Sequence, residues 1–362
     1  MKNLKKRLLV FVLSMAMCCL LFEPLTALAD SEIVTPIEGF DPVGIEATFN
    51  HTCSFQNKIE LNYKITANLT GYEEYWLSIE RQVFSGSSDE YTWKTIRLNG
   101  SFDGERYVFT YDDIAAAEMG DLIRAKLCAR IGDEVFKSDM DEYSVKEYCR
   151  RKLGGEKPST DPDFRRLLVD TLNYGAAAQI QFEKNTNNLA NDILTDDWKQ
   201  EGTQGNPALV SVNNVTTIGG KTAAVANKSV SFQSGVELNL YTTYGGSTPG
   251  ANVKVVLNYK TTSGKTITDT VASDKFIEDV KEGVKRYRAT FKCVATADFG
   301  QPLTIKIYDG STQISETYTY SIETYAFNRI NDSASKENFK ALLNAMMNYS
   351  KSANVYFSKQ QQ

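Results

Sequence analysis

The sequence contains one series of motifs twice, in the same order and at a nearly constant spacing. Residues 54–62 (SFQNKIELN) recur as residues 231–239 (SFQSGVELN), an offset of 177 positions, and residues 114–120 parallel residues 294–300. A chain with such internal similarity folds as copies of one unit, each built around the same core positions. The sequence therefore predicts two homologous modules in tandem.

The last motif that the two copies share predicts an α-helix at the end of each module. Residues 164–182 match residues 339–357 without a gap. Their shared apolar members recur at three- and four-residue spacing, which is typical of an amphipathic helix. Thr160 or Asp161 can cap the first helix, because Pro162 then stands in its first turn. The predicted helices span about 160–184 and 335–357.

Each module begins with short segments that are typical of β-strands. They are rich in Val, Ile, Thr and Tyr, and many alternate apolar with polar residues, as half-buried strands do. In the first module these segments include 59–65, 75–84, 91–98, 107–111, 122–131 and 135–145. The predicted fold is mostly β, with two tandem immunoglobulin-like antiparallel β-sandwich modules, each closed by a C-terminal amphipathic α-helix. Four residue pairs are expected at equivalent structural positions: Phe55 and Phe232, Tyr143 and Tyr320, Phe164 and Phe339, and Tyr174 and Tyr349.

The first 29 residues have the three parts of a secretory signal. Basic residues are followed by an apolar stretch over 8–22 and by the small-residue sequence Ala27-Leu28-Ala29. The apolar stretch is shorter than the roughly 20 residues of a membrane span, so cleavage after Ala29 is favoured over a retained anchor. The expected location is extracellular, with cell-surface association left open. The predicted organisation is a signal peptide (1–29), a first module (30–197), a glycine- and proline-containing linker (198–209) and a second module (210–362).

Charge divides along the same boundary. Residues 30–197 carry 31 acidic and 18 basic residues, whereas residues 198–362 carry 13 acidic and 18 basic residues. Solvated faces on two diverged copies explain this difference, and attraction between the modules is the alternative. No basic cluster alternates with aromatic residues, so nucleic acid is not expected as a partner.

The residue types that most enzymes need are scarce. His51 is the one histidine, which excludes three-histidine and H-E-x-x-H zinc sites and leaves one imidazole for nucleophilic catalysis. We interpret it as a surface or edge residue. Asp139, Asp141 and Glu142 alternate as calcium ligands can, without the rest of a calcium loop. No catalytic residue, metal site or cofactor is predicted.

The mature chain would keep four cysteines, namely Cys53, Cys128, Cys149 and Cys293. Four cysteines allow three pairings, and nothing in their spacing selects one of them. Disulfides are permitted outside the cell, but burial as small apolar residues is the favoured interpretation.

Five aromatic residues of the first module have no aromatic counterparts in the second. They are Tyr72, Tyr75, Trp76, Tyr91 and Trp93, on two successive predicted strands. Exposed aromatic rings stack on sugars or act as protein hot spots, whereas buried ones fill a core. For Trp76 and Trp93, filling the core between the sheets is the favoured interpretation, and a binding platform is the alternative.

The helical sequence LNYGAAAQ at 172–179, with Asn185, residues 189–191 and the Tyr-Ser-Val stretch at 143–148, resembles a known type of module. It is similar to tandem β-sandwich-plus-helix repeats of secreted and cell-surface proteins from Gram-positive gut bacteria. The second copy departs from this pattern, because Ser350, Lys351 and Ser352 replace Gly-Ala-Ala. The resemblance implies a structural or binding role and transfers no catalytic residue.

The sequence favours a secreted, non-catalytic surface protein, either an adhesion or host-protein-binding module or a structural spacer. The expected partner is an extracellular protein, of the host or of the producer's own envelope, or a glycan. A carbohydrate-binding protein that uses Tyr72, Trp76 and Trp93 is the main alternative. A glycoside hydrolase is a third, because that chemistry needs only two suitably spaced carboxylates. No membrane span is expected after removal of the signal.

Overall fold

The computed structural model describes residues 44–56, 58–84, 90–232, 236–292 and 294–360. The predicted signal peptide and Cys293 lie outside these residues. Within them the chain forms nineteen β-strands and five α-helices, and every pair of strands named below is antiparallel. The prediction of a mostly β fold with antiparallel sheets is confirmed.

Two sheets form in the N-terminal half, residues 44–201. Their strands are β1 (Ala47–Ser54), β2 (Glu60–Ala67), β3 (Glu74–Phe84), β4 (Tyr91–Leu98), β5 (Ser101–Phe102), β6 (Tyr107–Tyr111), β7 (Ile123–Ile131), β8 (Glu134–Lys137) and β9 (Asp141–Tyr143). One sheet has the order β1-β2-β6-β5. The other has the order β4-β3-β7-β8, with β9 also paired to β7. Tyr75 of β3 contacts the rings of Tyr107 and Phe109 on β6, so the two sheets face each other there.

The C-terminal half, residues 214–360, also holds two sheets. Its strands are β10 (Asn214–Thr216), β11 (Ala224–Ser231), β12 (Glu237–Thr243), β13 (Val253–Lys260), β14 (Thr266–Ala272), β15 (Ile277–Lys281), β16 (Val284–Phe291), β17 (Leu303–Asp309), β18 (Thr312–Gln313) and β19 (Thr317–Tyr320). The orders are β11-β12-β16-β15 and β10-β19-β17-β13-β14, with β18 also paired to β17. Apart from β10, these orders correspond strand for strand to those of the N-terminal half.

The helices are more numerous than the sequence analysis predicted. They are α1 (Val145–Gly154), α2 (Pro162–Phe182), α3 (Asp196–Glu201), α4 (Ile322–Ile330) and α5 (Glu337–Lys359). The two predicted helices correspond to α2 and α5, and Asp161 caps α2 by accepting hydrogen bonds from two backbone amides. The prediction that each module has one closing helix is wrong, because α1, α3 and α4 precede or follow those two.

The predicted strand 135–145 is also wrong in part. It divides into β8 and β9, and α1 begins directly after Ser144. The Ser144 side chain accepts a hydrogen bond from the backbone amide of Glu147, which starts a helix in preference to extending a strand. Ser321 caps α4 in the same way, through the amide of Thr324.

The long helices α2 and α5 pack against each other and run antiparallel. Phe164 near the start of α2 contacts Tyr356 near the end of α5, with 4.9 Å between ring centroids. Further along α2, Tyr174 stacks on Tyr349 at 5.4 Å. Asp163 also forms an ion pair with Lys359. The two halves therefore share an interface of rings and polar groups.

Candidate binding face

The register of β3 places two tryptophans on the outer face of its sheet. Leu77 and Ile79 are fully buried and point toward the core, so Trp76 and the other alternate residues of β3 point outward. Trp93 of β4 lies opposite Gln82 of β3. Because Gln82 is six residues from Trp76, the two tryptophans are about 20 Å apart on one face.

An arginine lies over the ring of Trp76. The guanidinium carbon of Arg97 is 4.2 Å from the ring centroid, a distance typical of a cation–π contact. Arg97 also forms an ion pair with Glu74, and the Oε2 atom of Glu74 lies 3.1 Å from Nε of Arg130. One carboxylate therefore holds two arginines, and one of them lies over the indole.

A second arginine lies over Trp93 in the same manner. The guanidinium of Arg124, on β7, is 4.1 Å from the ring centroid of Trp93, and its Nε is 2.9 Å from Oε1 of Glu142. Tyr91 meets Trp93 edge to face at 5.5 Å, and Phe84 contacts Tyr91 at 5.3 Å. Tyr91 is 43% exposed, so this end of the row reaches solvent.

The five aromatic residues singled out in the sequence divide between two environments. Trp76, Tyr91 and Trp93 lie on the outer face, and neither tryptophan belongs to the hydrophobic core. Tyr75 packs between the two sheets, and Tyr72 packs against Phe136 of β8 at 5.5 Å. We define the aromatic face as the outward residues Trp76, Tyr91, Trp93, Arg97 and Arg124.

The corresponding surface of the C-terminal half has no such composition. The outward residues of β13 include Lys254, Val256 and Asn258, and they lie opposite Ala272, Thr270 and Thr268 of β14. A hydrogen bond joins Thr268 to Asn258. Among the described residues, the tryptophan–arginine pairs are therefore confined to the N-terminal half.

Sequence reasoning identified the tryptophans but missed the arginines. Alternation along β3 separates Trp76 from Leu77 without any structure. Arg97 and Arg124 come from neighbouring strands, and only the register between strands brings them over the rings. An arginine at an outward position of a neighbouring predicted strand is the sequence signal that would have pointed to these tryptophan–arginine pairs.

His51 is not a surface residue, although β1 is an edge strand as expected. Its side chain is 5% exposed, lies 2.8 Å from Oδ2 of Asp141 through Nε2, and stacks on Tyr143 at 3.7 Å. Burial raises the pKa of Cys128 to about 11 and also raises the pKa values of Cys53 and Cys149. No disulfide joins these three cysteines. Buried thiols of this kind are weak nucleophiles.

Two of the three acidic residues considered for calcium are engaged by neighbouring groups. Asp141 lies against His51, and Glu142 forms an ion pair with Arg124. Among the described residues, no cluster of three or more His, Cys, Asp or Glu side chains is arranged to hold a metal ion. In the same part of the chain, no helix is both long enough and apolar enough to cross a membrane.

Comparison with known proteins gave no match: no protein family corresponds to the sequence, and no curated protein is significantly similar to it.

Proposed function

We propose that the protein is a secreted, non-catalytic binding protein whose aromatic face recognises an extracellular protein. The observation that carries the proposal is the pair of tryptophan–arginine stacks on one outward sheet surface. Tryptophan, tyrosine and arginine are the residues that contribute most binding energy in protein interfaces. The partner is a protein of the host or of the producing cell's own envelope.

The arginines of the aromatic face are held in place before any partner binds. Glu74 engages Arg97 and Arg130, and Glu142 engages Arg124. Each indole adds a second restraint on the guanidinium that lies over it. Side chains that are already ordered lose less entropy on association, which supports a binding role for this surface.

A carbohydrate-binding role for the same surface is the second candidate. Tyr91 favours it, because its ring is exposed and could stack on a sugar. The indoles favour it less, because a guanidinium lies about 4 Å above each ring, where a sugar would have to stack. We therefore place a protein partner first.

The surroundings of the scarce reactive groups support a non-catalytic role. The His51 imidazole is buried against Asp141 and Tyr143, away from solvent. A general base must reach the proton that it removes, and substrate has no access to this one. Sustained release of reducing sugar by the pure protein would contradict this part of the proposal and favour the glycosidase alternative.

We further propose that the two halves are homologous β-sandwich modules, exported by the signal at residues 1–29. The corresponding strand orders support the duplication, and the contact of Tyr75 with β6 supports face-to-face packing of two sheets. The resemblance to tandem surface modules of Gram-positive gut bacteria supports export. A structural spacer is the alternative use of such an architecture.

The test is a binding array with the secreted form, residues 30–362, as the soluble probe. Mucins, mucosal host proteins, envelope proteins and protein-free glycans are immobilised. We expect saturable binding to a protein, and a Trp93→Ala variant should bind about thirtyfold more weakly, as loss of an interface hot spot does.

The matched control is Tyr308→Ala, which removes a half-exposed ring from β17 in the C-terminal half. It should bind like the unmodified protein. Binding that is unchanged by both Trp76→Ala and Trp93→Ala would overturn the proposal. Binding to protein-free glycans that Tyr91→Ala abolishes would favour the carbohydrate alternative.

A further inference from the structure

A concave surface lies between the two halves, and its residues are far in sequence from those of the aromatic face. This cleft of about 460 Å³ is bounded by α2, α5, the end of α4 and the connecting segment, residues 202–213. Its polar lining includes four asparagines, Asn173, Asn206, Asn344 and Asn348. We call it the amide cleft. Its volume falls in the range of small-molecule sites in proteins.

The charged groups around the amide cleft are already engaged by their neighbours. Nζ of Lys340 is 3.1 Å from Oε1 of Glu337. Asp170 is 1% exposed, and its oxygens accept hydrogen bonds from the backbone and hydroxyl of Thr203 and from the hydroxyl of Ser352. Each charged group among the described residues that line the cleft therefore already has a partner, and the cleft suits a neutral ligand.

The asparagine amides, in contrast, retain unused hydrogen-bonding groups. Asn348 donates through Nδ2 to the carbonyl of Gly205, but its buried Oδ1 atom has no donor among the described residues. Asn173 accepts from Asn191 through Oδ1, which leaves its own Nδ2 group to donate. In the described part of the chain, the side chains of Asn206 and Asn344 form no hydrogen bond. A primary amide both donates and accepts, as does a hydroxyl group.

We infer that the amide cleft binds a neutral, polyhydroxylated ligand of the size of a mono- or disaccharide. The asparagines supply donors and acceptors for the hydroxyl groups. Ile330, Ala341 and Ala345 line the same cleft and offer apolar surface to the C–H faces of a sugar ring. Because α2 and α5 belong to different halves, the site exists only where both are joined.

The experiment titrates the full secreted protein with methyl glycosides of glucose, galactose and N-acetylglucosamine and with cellobiose. Isothermal titration calorimetry and saturation-transfer NMR report binding. We expect one saturable site for at least one sugar. Asn344→Ala and Asn348→Ala should each weaken it by about threefold to tenfold, the effect of one lost hydrogen bond.

Two variants make the result specific to this site. Asn338→Ala changes an exposed asparagine of α5 outside the cleft and should bind sugar normally. Trp93→Ala should also bind normally, because the aromatic face is a separate site. Absence of binding by every sugar would overturn the inference. Sugar binding that Trp93→Ala abolishes would also overturn it. The same holds if Asn338→Ala loses as much sugar affinity as the cleft variants. Binding of a capped neutral dipeptide in place of sugars would assign the cleft to peptides and overturn the inference as well.

Discussion

At the residue scale, the close packing around Gly175 favours glycine over alanine inside a helix, although alanine has the higher helix propensity. Gly175 lies in the middle of α2, where glycine normally costs about 1 kcal/mol relative to alanine. A Cβ atom at this position would lie 2.9 Å from Cβ of Ala190 and 2.9 Å from Sδ of Met119. Because Gly175 has no side chain, α2 can pack closely against the turn that contains Met119 and the loop that contains Ala190.

We predict that Gly175→Ala destabilises the protein by about 1–2 kcal/mol, because overpacking outweighs the gain in helix propensity. Urea unfolding measures the change in the free energy of unfolding. The single variant Ala190→Gly serves as the control, because it gives the cost of losing the Ala190 methyl group alone. The double variant Gly175→Ala/Ala190→Gly removes one of the two close contacts and should therefore recover part of the stability that Gly175→Ala loses. A Gly175→Ala variant that is more stable than the original protein would contradict the packing described here.

The equivalent residue of the second copy supports the same interpretation. Ser350 of α5 donates a hydrogen bond of 2.6 Å to the carbonyl of Thr296. In the N-terminal half, the carbonyl of Ala116 lies 3.3 Å from where a Cβ atom of Gly175 would be. Sequence comparison aligned Gly175 with Ser350, but the shared contact with a preceding turn could not be derived from helical spacing.

At the element scale, the sequence predicted strands with regular alternation well and misplaced the element that follows them. The predicted strands 91–98 and 107–111 match β4 and β6. The sequence predicts a single strand over 135–145, where the structure has two short strands and the start of α1. The Ser-x-x-Glu pattern at Ser144 and Glu147 is a helix-start signal, and it outweighs β-propensity at this position.

The junction between β7 and the loop after α2 contains a buried carboxylate with an unusual titration. Asp121 is 3% exposed, and its Oδ1 accepts a hydrogen bond of 2.8 Å from Nδ2 of Asn185. Burial raises the pKa of Asp121 to about 6, although Asn185 and the nearby Lys184 act in the opposite direction. In an unfolded chain an aspartate has a pKa of about 4. The folded protein therefore binds more protons than the unfolded chain between these values.

We predict that the contribution of Asp121 to stability is largest below about pH 4 and is lost as the pH rises through about 6. Asp121→Asn keeps an acceptor for Asn185 and removes the titration. It should match the original protein at about pH 4 and exceed its stability by about 2–3 kcal/mol at about pH 7.5. Urea unfolding across this pH range measures both values.

The control for this titration is Asp112→Asn, which changes an exposed carboxylate paired with Lys58. It should produce no comparable gain at neutral pH. Equal stability of Asp121→Asn and the original protein at both pH values would show that Asp121 titrates normally in the folded state.

At the scale of the whole molecule, the sequence predicted the order of elements but not how the halves meet. Internal similarity placed the helices 164–182 and 339–357 at equivalent positions. It could not show that they pack together, because pairing between distant helices depends on the path of the connecting segment. Solvated faces are the favoured explanation of the charge difference and attraction between the halves is the alternative; one ion pair, Asp163 with Lys359, crosses this interface. Two ring pairs, Phe164 with Tyr356 and Tyr174 with Tyr349, also join α2 to α5.

The buried polar contact between α2 and α5 provides a test of this packing. Ser352 of α5 is 3% exposed and donates a hydrogen bond to Oδ2 of Asp170, which is itself buried. A carboxylate at position 352 would meet another carboxylate away from water, where like charges repel strongly. In a Ser352→Glu variant, the interface should therefore separate before either half unfolds.

We predict that the original protein unfolds in a single calorimetric transition and that Ser352→Glu divides it into two. The expected cost to the interface is about 3–5 kcal/mol, the usual effect of an uncompensated buried charge. Asn338→Glu adds the same charge to an exposed position of α5 and should keep one transition near the original temperature. If Ser352→Glu also unfolds in one unshifted transition, the two helices do not hold the halves together in solution.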